Sequence, residues 1–87
     1  MLRFGLASAL VREKREAEAV PHLNACIEQD PSYTAAYKML GKALYTLERF
    51  DEALTAFSAG LPIAEASGDK QTVKEIEVFV RRINKQR

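Results

Sequence analysis

Apolar residues recur along this chain three or four positions apart, which is the spacing of one face of an α-helix. The pattern occupies five segments, at residues 2–10, 19–27, 33–47, 53–64 and 73–83. No segment alternates apolar and polar residues as a half-buried strand does. The spacing therefore predicts an all-α protein of five amphipathic helices, joined into antiparallel hairpins by very short turns.

Turn-forming and helix-breaking residues separate these segments. The charged run 12–15 predicts a tight turn, and the proline within 30–32 predicts the end of the second helix. Residues 67–69 supply a glycine suited to a helix C-terminus and an aspartate suited to the next N-cap. Pro62 lies inside the fourth segment, where the continuing apolar spacing predicts a kink. The alternative is a helix that restarts at this proline.

The chain also repeats itself with a period of 34 residues. Eight positions recur, identical or similar in kind, after this shift: Leu6, Ala9, Leu10, Arg15, Glu18, Ala19, Leu23 and Ala25 match Leu40, Ala43, Leu44, Arg49, Glu52, Ala53, Phe57 and Ala59. A fixed period of this size is typical of a stacked repeat array. Such arrays present a surface to a partner rather than a pocket for chemistry, so the repeat favours a binding function.

Length and composition narrow the possibilities further. The 87 residues suffice for one domain, and the net charge of +1 favours no class of charged partner. The charge is uneven, because residues 69–87 hold six Lys or Arg against three Asp or Glu. The single cysteine, Cys26, cannot form a disulfide within the chain, and no apolar run approaches the roughly 18 residues of a membrane span. These features predict a cytoplasmic protein without membrane association.

Residues 34–67 resemble one tetratricopeptide repeat, a helical hairpin with small and large residues at fixed positions. The matching residues are Tyr37, Leu40, Gly41, Leu44, Tyr45, Phe50, Ala53, Phe57 and Gly60. Residues 1–33 resemble the repeat less fully, because Arg3 stands where an aromatic residue is expected. The resemblance implies a single domain over 1–87, with repeat one at about 1–33, repeat two at 34–67 and a capping helix at 69–85.

The resemblance also implies where a partner binds, because the first helix of each repeat in this family lines a concave groove that holds a peptide. By motif position, the partner-binding residues are Phe4, Ser8, Val11, Lys38, Lys42 and Tyr45. Lys38 and Lys42 share one helical face, which suits an acidic partner; the alternative is a pair of ordinary solvated lysines. Ser8 and Met39 occupy positions where relatives that grip chaperone C-termini have asparagine, so the full carboxylate clamp is absent.

Two further groups of residues have both a functional and a structural interpretation. Glu18, His22 and Cys26 have metal-ligand spacing on one helix, yet Cys26 falls at a small core position of the repeat. The basic end of the chain suits a helix C-terminus as well as a nucleic acid, and consists of Arg81, Arg82, Lys85 and Arg87. No phosphate-binding loop or catalytic set is present. We therefore expect no enzymatic activity, no metal, no cofactor and no nucleic-acid partner.

The predicted function is non-catalytic recognition of a protein or peptide partner in the groove. An alternative follows from size, because repeat arrays usually need about three repeats and this chain has two plus a cap. Either the chain is a fragment of a longer array, or a second copy covers the apolar edge of its first helix in a homodimer or structural scaffold. That edge consists of Leu2, Leu6 and Leu10.

Overall fold

The computed structural model describes the backbone of residues 2–86 and the side chains of residues 3–86. Its helices are α1 (Leu2–Arg12), α2 (Glu16–Gln29), α3 (Thr34–Thr46), α4 (Phe50–Ser67) and α5 (Lys70–Gln86). The connections are two to four residues long, so successive helices fold back on one another. The described range contains no strand, and the prediction of an all-α protein with five helices is confirmed.

The first hairpin turn and the turn 34 residues later have the same backbone structure. Lys14 and Glu48 both adopt the left-handed conformation, with φ of 63° and 61°. The following residue in each turn donates its backbone N–H to a carbonyl five residues earlier, Arg15 to Leu10 at 2.8 Å and Arg49 to Leu44 at 2.9 Å. These bonds end each helix in a Schellman motif, in which glycine is the usual left-handed residue.

The arginine that follows each turn forms the same ion pair in both hairpins. Nε of Arg15 lies 2.6 Å from Oε2 of Glu18. Nε of Arg49 likewise lies 2.6 Å from Oε2 of Glu52. Hydrogen bonds from each arginine lower the pKa of its partner carboxyl group. The 34-residue period of the sequence therefore extends to the hydrogen bonds of the turns.

The break between α4 and α5 combines a glycine C-cap with an aspartate N-cap, as the sequence predicts. Gly68 has a φ of 77°, and the N–H of Asp69 donates to the carbonyl of Ala64 at 3.0 Å. The carboxylate of Asp69 accepts hydrogen bonds from the N–H and the hydroxyl of Thr72, at 3.2 and 2.7 Å. The hydroxyl of Thr34 donates to the same carboxylate at 3.4 Å, which ties α3 to the start of α5.

Two helices contain an internal proline. α2 continues through Pro21, and α4 continues through Pro62. Each proline lacks an N–H and leaves the carbonyl four residues earlier without its helical partner. Phe57 and Ala64, on either side of Pro62, are both fully buried. Packing on both sides thus holds α4 together, and the alternative of a helix that restarts at Pro62 is wrong.

One hydrophobic core connects all five helices. Its largest fully buried side chains are Leu23 of α2, Phe57 of α4, and Ile76 and Ile83 of α5. Ala7 brings α1 into the same cluster, and α3 contributes Leu40 among others. Because α5 supplies two of these four large side chains, the C-terminal helix is an integral part of the core.

Candidate interaction surface

The five helices form two rows. α3 packs against both α1 and α5, whereas in α2 and α4, which are described over their full length, no Cα atom of one helix lies within 8 Å of a Cα atom of the other. We call α1, α3 and α5 the inner row, and α2 and α4 the outer row. The helices of the inner row therefore lie closer to their neighbours than the two helices of the outer row lie to each other.

Charge separates between the two rows. The inner row contains two acidic residues, Glu75 and Glu77, and nine basic residues: Arg3, Arg12, Lys38, Lys42, Lys70, Lys74, Arg81, Arg82 and Lys85. The outer row contains no Lys or Arg between its described helix bounds and six acidic residues: Glu16, Glu18, Glu28, Asp51, Glu52 and Glu65. Counted by helix, the near-neutral chain therefore has a formal charge of +7 on the inner row and −6 on the outer row, where Glu18 and Glu52 are paired with the turn residues Arg15 and Arg49.

The three candidate residues of the first repeat lie on α1 and are all half-buried. The ring of Phe4 packs against that of Tyr33, with centroids 5.0 Å apart. The hydroxyl of Ser8 accepts a hydrogen bond from Arg12 at 3.3 Å. Val11 packs against the core cluster. The first repeat therefore offers partly covered apolar surface, with the guanidinium group of Arg12 beside it.

The three candidate residues of the second repeat lie on α3, and each contacts α5. Nζ of Lys38 lies 3.1 Å from Oε2 of Glu75. Nζ of Lys42 lies 5.9 Å from the ring centroid of Phe79. The hydroxyl of Tyr45 accepts a hydrogen bond from Nε2 of Gln86 at 3.2 Å. The C-terminal helix thus adds its own side chains to this part of the inner row.

Phe79 is at the centre of an aromatic cluster on this surface. Its ring meets that of Tyr45 edge-on at 5.2 Å and stacks on that of Phe57 at 5.5 Å. The guanidinium carbon of Arg82 lies 5.3 Å from the same ring centroid. Sequence reasoning named none of the α5 residues here as partner-binding. The 34-residue period offers a signal, because Phe79 follows Tyr45 by one period, just as Tyr45 follows Val11.

The other candidate residues do not come together as a site. Among residues 3–86, no group of three or more His, Cys, Asp and Glu side chains is arranged to hold a metal ion. Cys26 is buried and His22 half-buried, while exposed Glu18 is paired with Arg15. At the basic end, the side chains of Arg81, Arg82 and Lys85 are exposed, and Arg87 lies outside the described residues.

Surface clefts lined by described residues flank the rows. A cleft of about 260 Å³ lies between α2 and α4, where Asn24 and Thr55 are among the lining residues. A second cleft, of about 350 Å³, lies between the end of α4 and α5 and is lined by Val73 and Lys74 among others. Lys74 therefore points away from the α3–α5 contact, which makes it a useful control for the basic residues at that contact.

This architecture, with hairpins stacked at a 34-residue period and a C-terminal helix over the last one, defines a helical-repeat protein. Residues 3–69 match the tetratricopeptide repeat family, and the chain belongs to that family. Members of the family are generally non-catalytic modules that bind other proteins. None of α1 to α5 combines the length and the hydropathy of a membrane-spanning segment.

Several proteins resemble this chain, in sequence or in structure, over most of its length. A TPR repeat-containing protein of Pseudomonas aeruginosa is 40% identical over 87 residues, which cover 100% of this chain and 83% of that protein. A solution structure from Bordetella parapertussis is 39% identical, with a TM-score of 0.87 over 98% of this chain and 74% of the other. The TPR2B domain of yeast Sti1, solved in its complex with pHsp70, is 25% identical, with a TM-score of 0.86 over 93% of this chain and 65% of the other.

Proposed function

We propose that this protein is a non-catalytic recognition module that binds an acidic segment of a partner protein along its inner row. The observation that carries the proposal is the separation of charge between the rows. Nine of the eleven charged residues on the inner-row helices are basic, and seven of the eight that remain when Lys70, Lys74 and Glu77 of the α4–α5 cleft are set aside are basic too. A surface of one sign attracts segments of the opposite sign and repels others, and the outer row of opposite sign discourages binding on the back of the array.

The half-buried apolar groups of the inner row support this proposal. Phe4, Val11 and Tyr45 present partly exposed side chains beside the basic residues. Charged contacts select and orient a partner, whereas aromatic and aliphatic contacts supply most of the lasting affinity. All three side chains are on helices that pack into the core, so the surface is ordered before binding. The entropy cost of association then falls mainly on the partner segment.

The test compares peptides of opposite charge and variants of opposite rows. Fluorescence anisotropy would measure the binding of labelled peptides that are rich in Asp and Glu, in Lys and Arg, or in neutral residues. We expect the acidic peptide to bind best, and its affinity to fall as salt is added, because exposed charges are screened. Acidic and basic peptides that bind equally well would contradict the proposal.

A matched pair of variants locates the surface. Lys42→Glu lowers the charge of the inner row by two units, and Asn24→Asp/Gln29→Glu lowers that of the outer row by the same amount at exposed positions of α2. We expect the inner-row variant to lose most of the binding and the outer-row variant to keep it. Loss of binding in both variants would show that the net charge of the protein, and not the position of the charges, determines whether the peptide binds. Circular dichroism establishes that each variant is folded.

Self-association through the first helix is a second candidate function, favoured by one observation. Leu6 is 47% exposed, whereas Leu40, one period later, is 6% exposed because α2 packs against α3. A second copy that covers Leu6 would complete the apolar contact that a preceding hairpin otherwise makes. Sedimentation velocity tests this candidate. It predicts a dimer that Leu6→Glu dissociates and Lys38→Glu leaves intact, and a monomer at all concentrations would contradict it. Of the other two residues that we expected at this edge, Leu10 is instead buried in the core, with 8% of its surface exposed, and the side chain of Leu2 lies outside the described residues.

A further inference from the structure

We propose that Lys42 and Arg82, held over the ring of Phe79, form the anchor of the inner row and bind carboxylate side chains of an acidic partner segment. The inference rests on the proposed function and assigns the residues that perform it. The anchor connects the second repeat to the C-terminal helix, because Lys42 belongs to α3 whereas Phe79 and Arg82 belong to α5. It is therefore formed by packing between two helices rather than by a single helical face.

Both cationic groups lie close to one aromatic ring and remain available to a partner. Nζ of Lys42 and Cζ of Arg82 lie 5.9 and 5.3 Å from the ring centroid of Phe79. Both basic side chains are exposed, while the ring is half-buried. An aromatic ring at this distance attracts cations without neutralising their charge. Phe79 thus holds both positive charges beside its ring at the surface before any partner arrives, which lowers the entropy cost of binding an anion.

The ring is itself firmly held. Phe79 stacks on Phe57, which is fully buried, and meets the edge of Tyr45 at an angle of 78°. The hydroxyl of Tyr45 in turn accepts a hydrogen bond from Gln86, which lies about two helical turns after Phe79 on α5. Because these contacts join the ring to the core and to α3, the anchor has a defined position on the inner row.

Lys38 and Lys42 are not equivalent, although they share one face of α3. Nζ of Lys38 lies 3.1 Å from Oε2 of Glu75, and the two side chains are 28% and 32% exposed. This ion pair is neutral as a unit and partly shielded from solvent. Lys42 forms no ion pair with any described residue. A partner carboxylate therefore gains a free cation at Lys42, whereas at Lys38 it must compete with Glu75.

The number of cations favours acidic side chains over a single terminal carboxylate. Beyond the anchor, exposed basic residues of the inner row include Arg3, Arg12, Arg81 and Lys85. A chain terminus supplies one negative charge at one point, and this would leave most of the basic surface without a partner. A segment with several Asp or Glu residues places a negative charge at each of several positions, so it matches the distribution of positive charge better.

The experiment measures binding of a short fluorescein-labelled peptide rich in Asp and Glu, with both ends blocked. Lys42→Gln and Arg82→Gln each remove one anchor charge, and Lys74→Gln removes the same charge from the other side of α5. We expect the two anchor variants each to weaken binding roughly three- to fivefold, and Lys74→Gln to weaken it less than about twofold. All three positions are exposed, and thermal melting followed by circular dichroism checks that the fold is retained.

Two further variants separate positioning from charge. Phe79→Leu keeps the net charge but removes the ring, so we expect weaker binding with an unchanged dependence on salt. Lys38→Gln/Glu75→Gln removes the internal ion pair without changing the net charge, so we expect binding equal to that of the wild type. Weaker binding in this double variant would overturn the assignment of Lys38 to an internal role.

The outcomes distinguish the anchor from the proposed function. Equal losses for Lys74→Gln and Arg82→Gln would overturn the anchor and leave acidic-segment recognition standing. Much tighter binding of the same peptide with a free C-terminus would overturn the choice of side-chain carboxylates. No preference of the wild type for acidic over basic peptides would remove the proposed function itself. Tighter binding of a single-stranded oligonucleotide, with the same response to the variants, would overturn the anchor's assignment to a protein partner.

Discussion

The ring of Phe57 packs directly against the backbone of Gly41, so that a Cβ atom added at position 41 would lie within 2.6 Å of Cδ1 of that ring. The same hairpin also contains the reverse arrangement, in which the glycine belongs to α4 and the aromatic residue to α3. A Cβ atom added at Gly60 would lie 2.6 Å from Cβ of Tyr37. In each case an aromatic residue of one helix fills the space that a glycine of the other leaves open, and this brings α3 and α4 close together.

The first prediction concerns this contact. Gly41→Ala forces the Phe57 ring out of its position in a packed core, and we expect the free energy of unfolding to fall by roughly 1–3 kcal/mol. Gly5→Ala is the control, because a Cβ atom there meets nothing within 4 Å. At this helical position alanine is expected to raise the stability by up to about 1 kcal/mol. Urea denaturation of both variants measures the difference, and equal effects would contradict it.

The second prediction concerns a double substitution that gives the second repeat the residues found at the same positions of the first repeat. One period earlier, the residues that correspond to Gly41 and Phe57 are Ala7 and Leu23, and both are fully buried. In the first repeat the residue on α1 is thus larger than Gly41, and the residue on α2 is smaller than Phe57. We expect Gly41→Ala/Phe57→Leu to be more stable than the two single changes imply together, with a coupling of roughly 1 kcal/mol. Additive effects in a double-mutant cycle would show that the two sites adjust independently.

The third prediction concerns backbone strain in the hairpin turns. Lys14 and Glu48 occupy the left-handed region, where a side chain is unfavourable and glycine is not. Glu48→Gly is therefore expected to raise the free energy of unfolding by roughly 0.5–1 kcal/mol. This value is the relief of backbone strain minus the larger conformational entropy that glycine loses on folding. Glu48→Ala removes the same side chain but keeps Cβ, so it should bring no gain. Thermal unfolding compares the two variants, and an equal gain in both would contradict the explanation.

The fourth prediction uses the cap of α5. Hydrogen bonds from the hydroxyl and the N–H of Thr72, and then from Thr34, hold the pKa of Asp69 below its ordinary value. A carboxylate with a lower pKa in the folded state stabilises the fold above its unfolded pKa, near about 4, and loses that effect as the pH falls through the folded pKa. Asp69→Asn keeps a capping side chain but removes the charge. We expect the variant to be less stable than the wild type at neutral pH and to approach it below about pH 4.

The measurement for Asp69 is urea denaturation of both proteins across this pH range. A difference in stability that stays constant from neutral to acidic pH would show that the hydrogen-bond geometry, and not the charge, is what Asp69 contributes.

The fifth prediction concerns the exposed proline of α4. Alanine at position 62 restores an N–H that can donate to the carbonyl of Ser58, and it removes the clash of the proline ring with that carbonyl. Pro62→Ala is expected to raise the free energy of unfolding by roughly 1–3 kcal/mol. A lower denaturation midpoint would show instead that the shape imposed by Pro62 is needed for the packing of Phe57 and Ala64.

Helices and turns of this protein are predictable because the interactions behind them are local. Apolar spacing places each helix within a few residues of its observed bounds, and the cap residues Gly68 and Asp69 act between neighbours in sequence. The period also predicts that the two hairpins share one structure. The local pairs Arg15–Glu18 and Arg49–Glu52 recur with it, because each connects residues three positions apart.

The surface was predictable only in part. Motif positions selected residues on α1 and α3, but Glu75, Phe79 and Arg82 belong to a helix without the repeat motif. The pairing of Lys38 with Glu75 joins residues 37 positions apart, and no local pattern indicates it. The alternation of basic and acidic helices is present in the sequence, yet it becomes two charged faces only once the helices are known to form two rows.

By itself the sequence determined the class of this protein: helical periodicity, short turns and a 34-residue repeat lead to stacked hairpins, because each depends on residues near one another in the chain. Tertiary structure decided which side chains remain available on the inner row. Lys38 and Lys42 have the same chemistry and neighbouring positions on one helix. Only the packing of α5 against α3 pairs the first with a carboxylate and leaves the second above an aromatic ring, since contacts between distant segments depend on the folded arrangement.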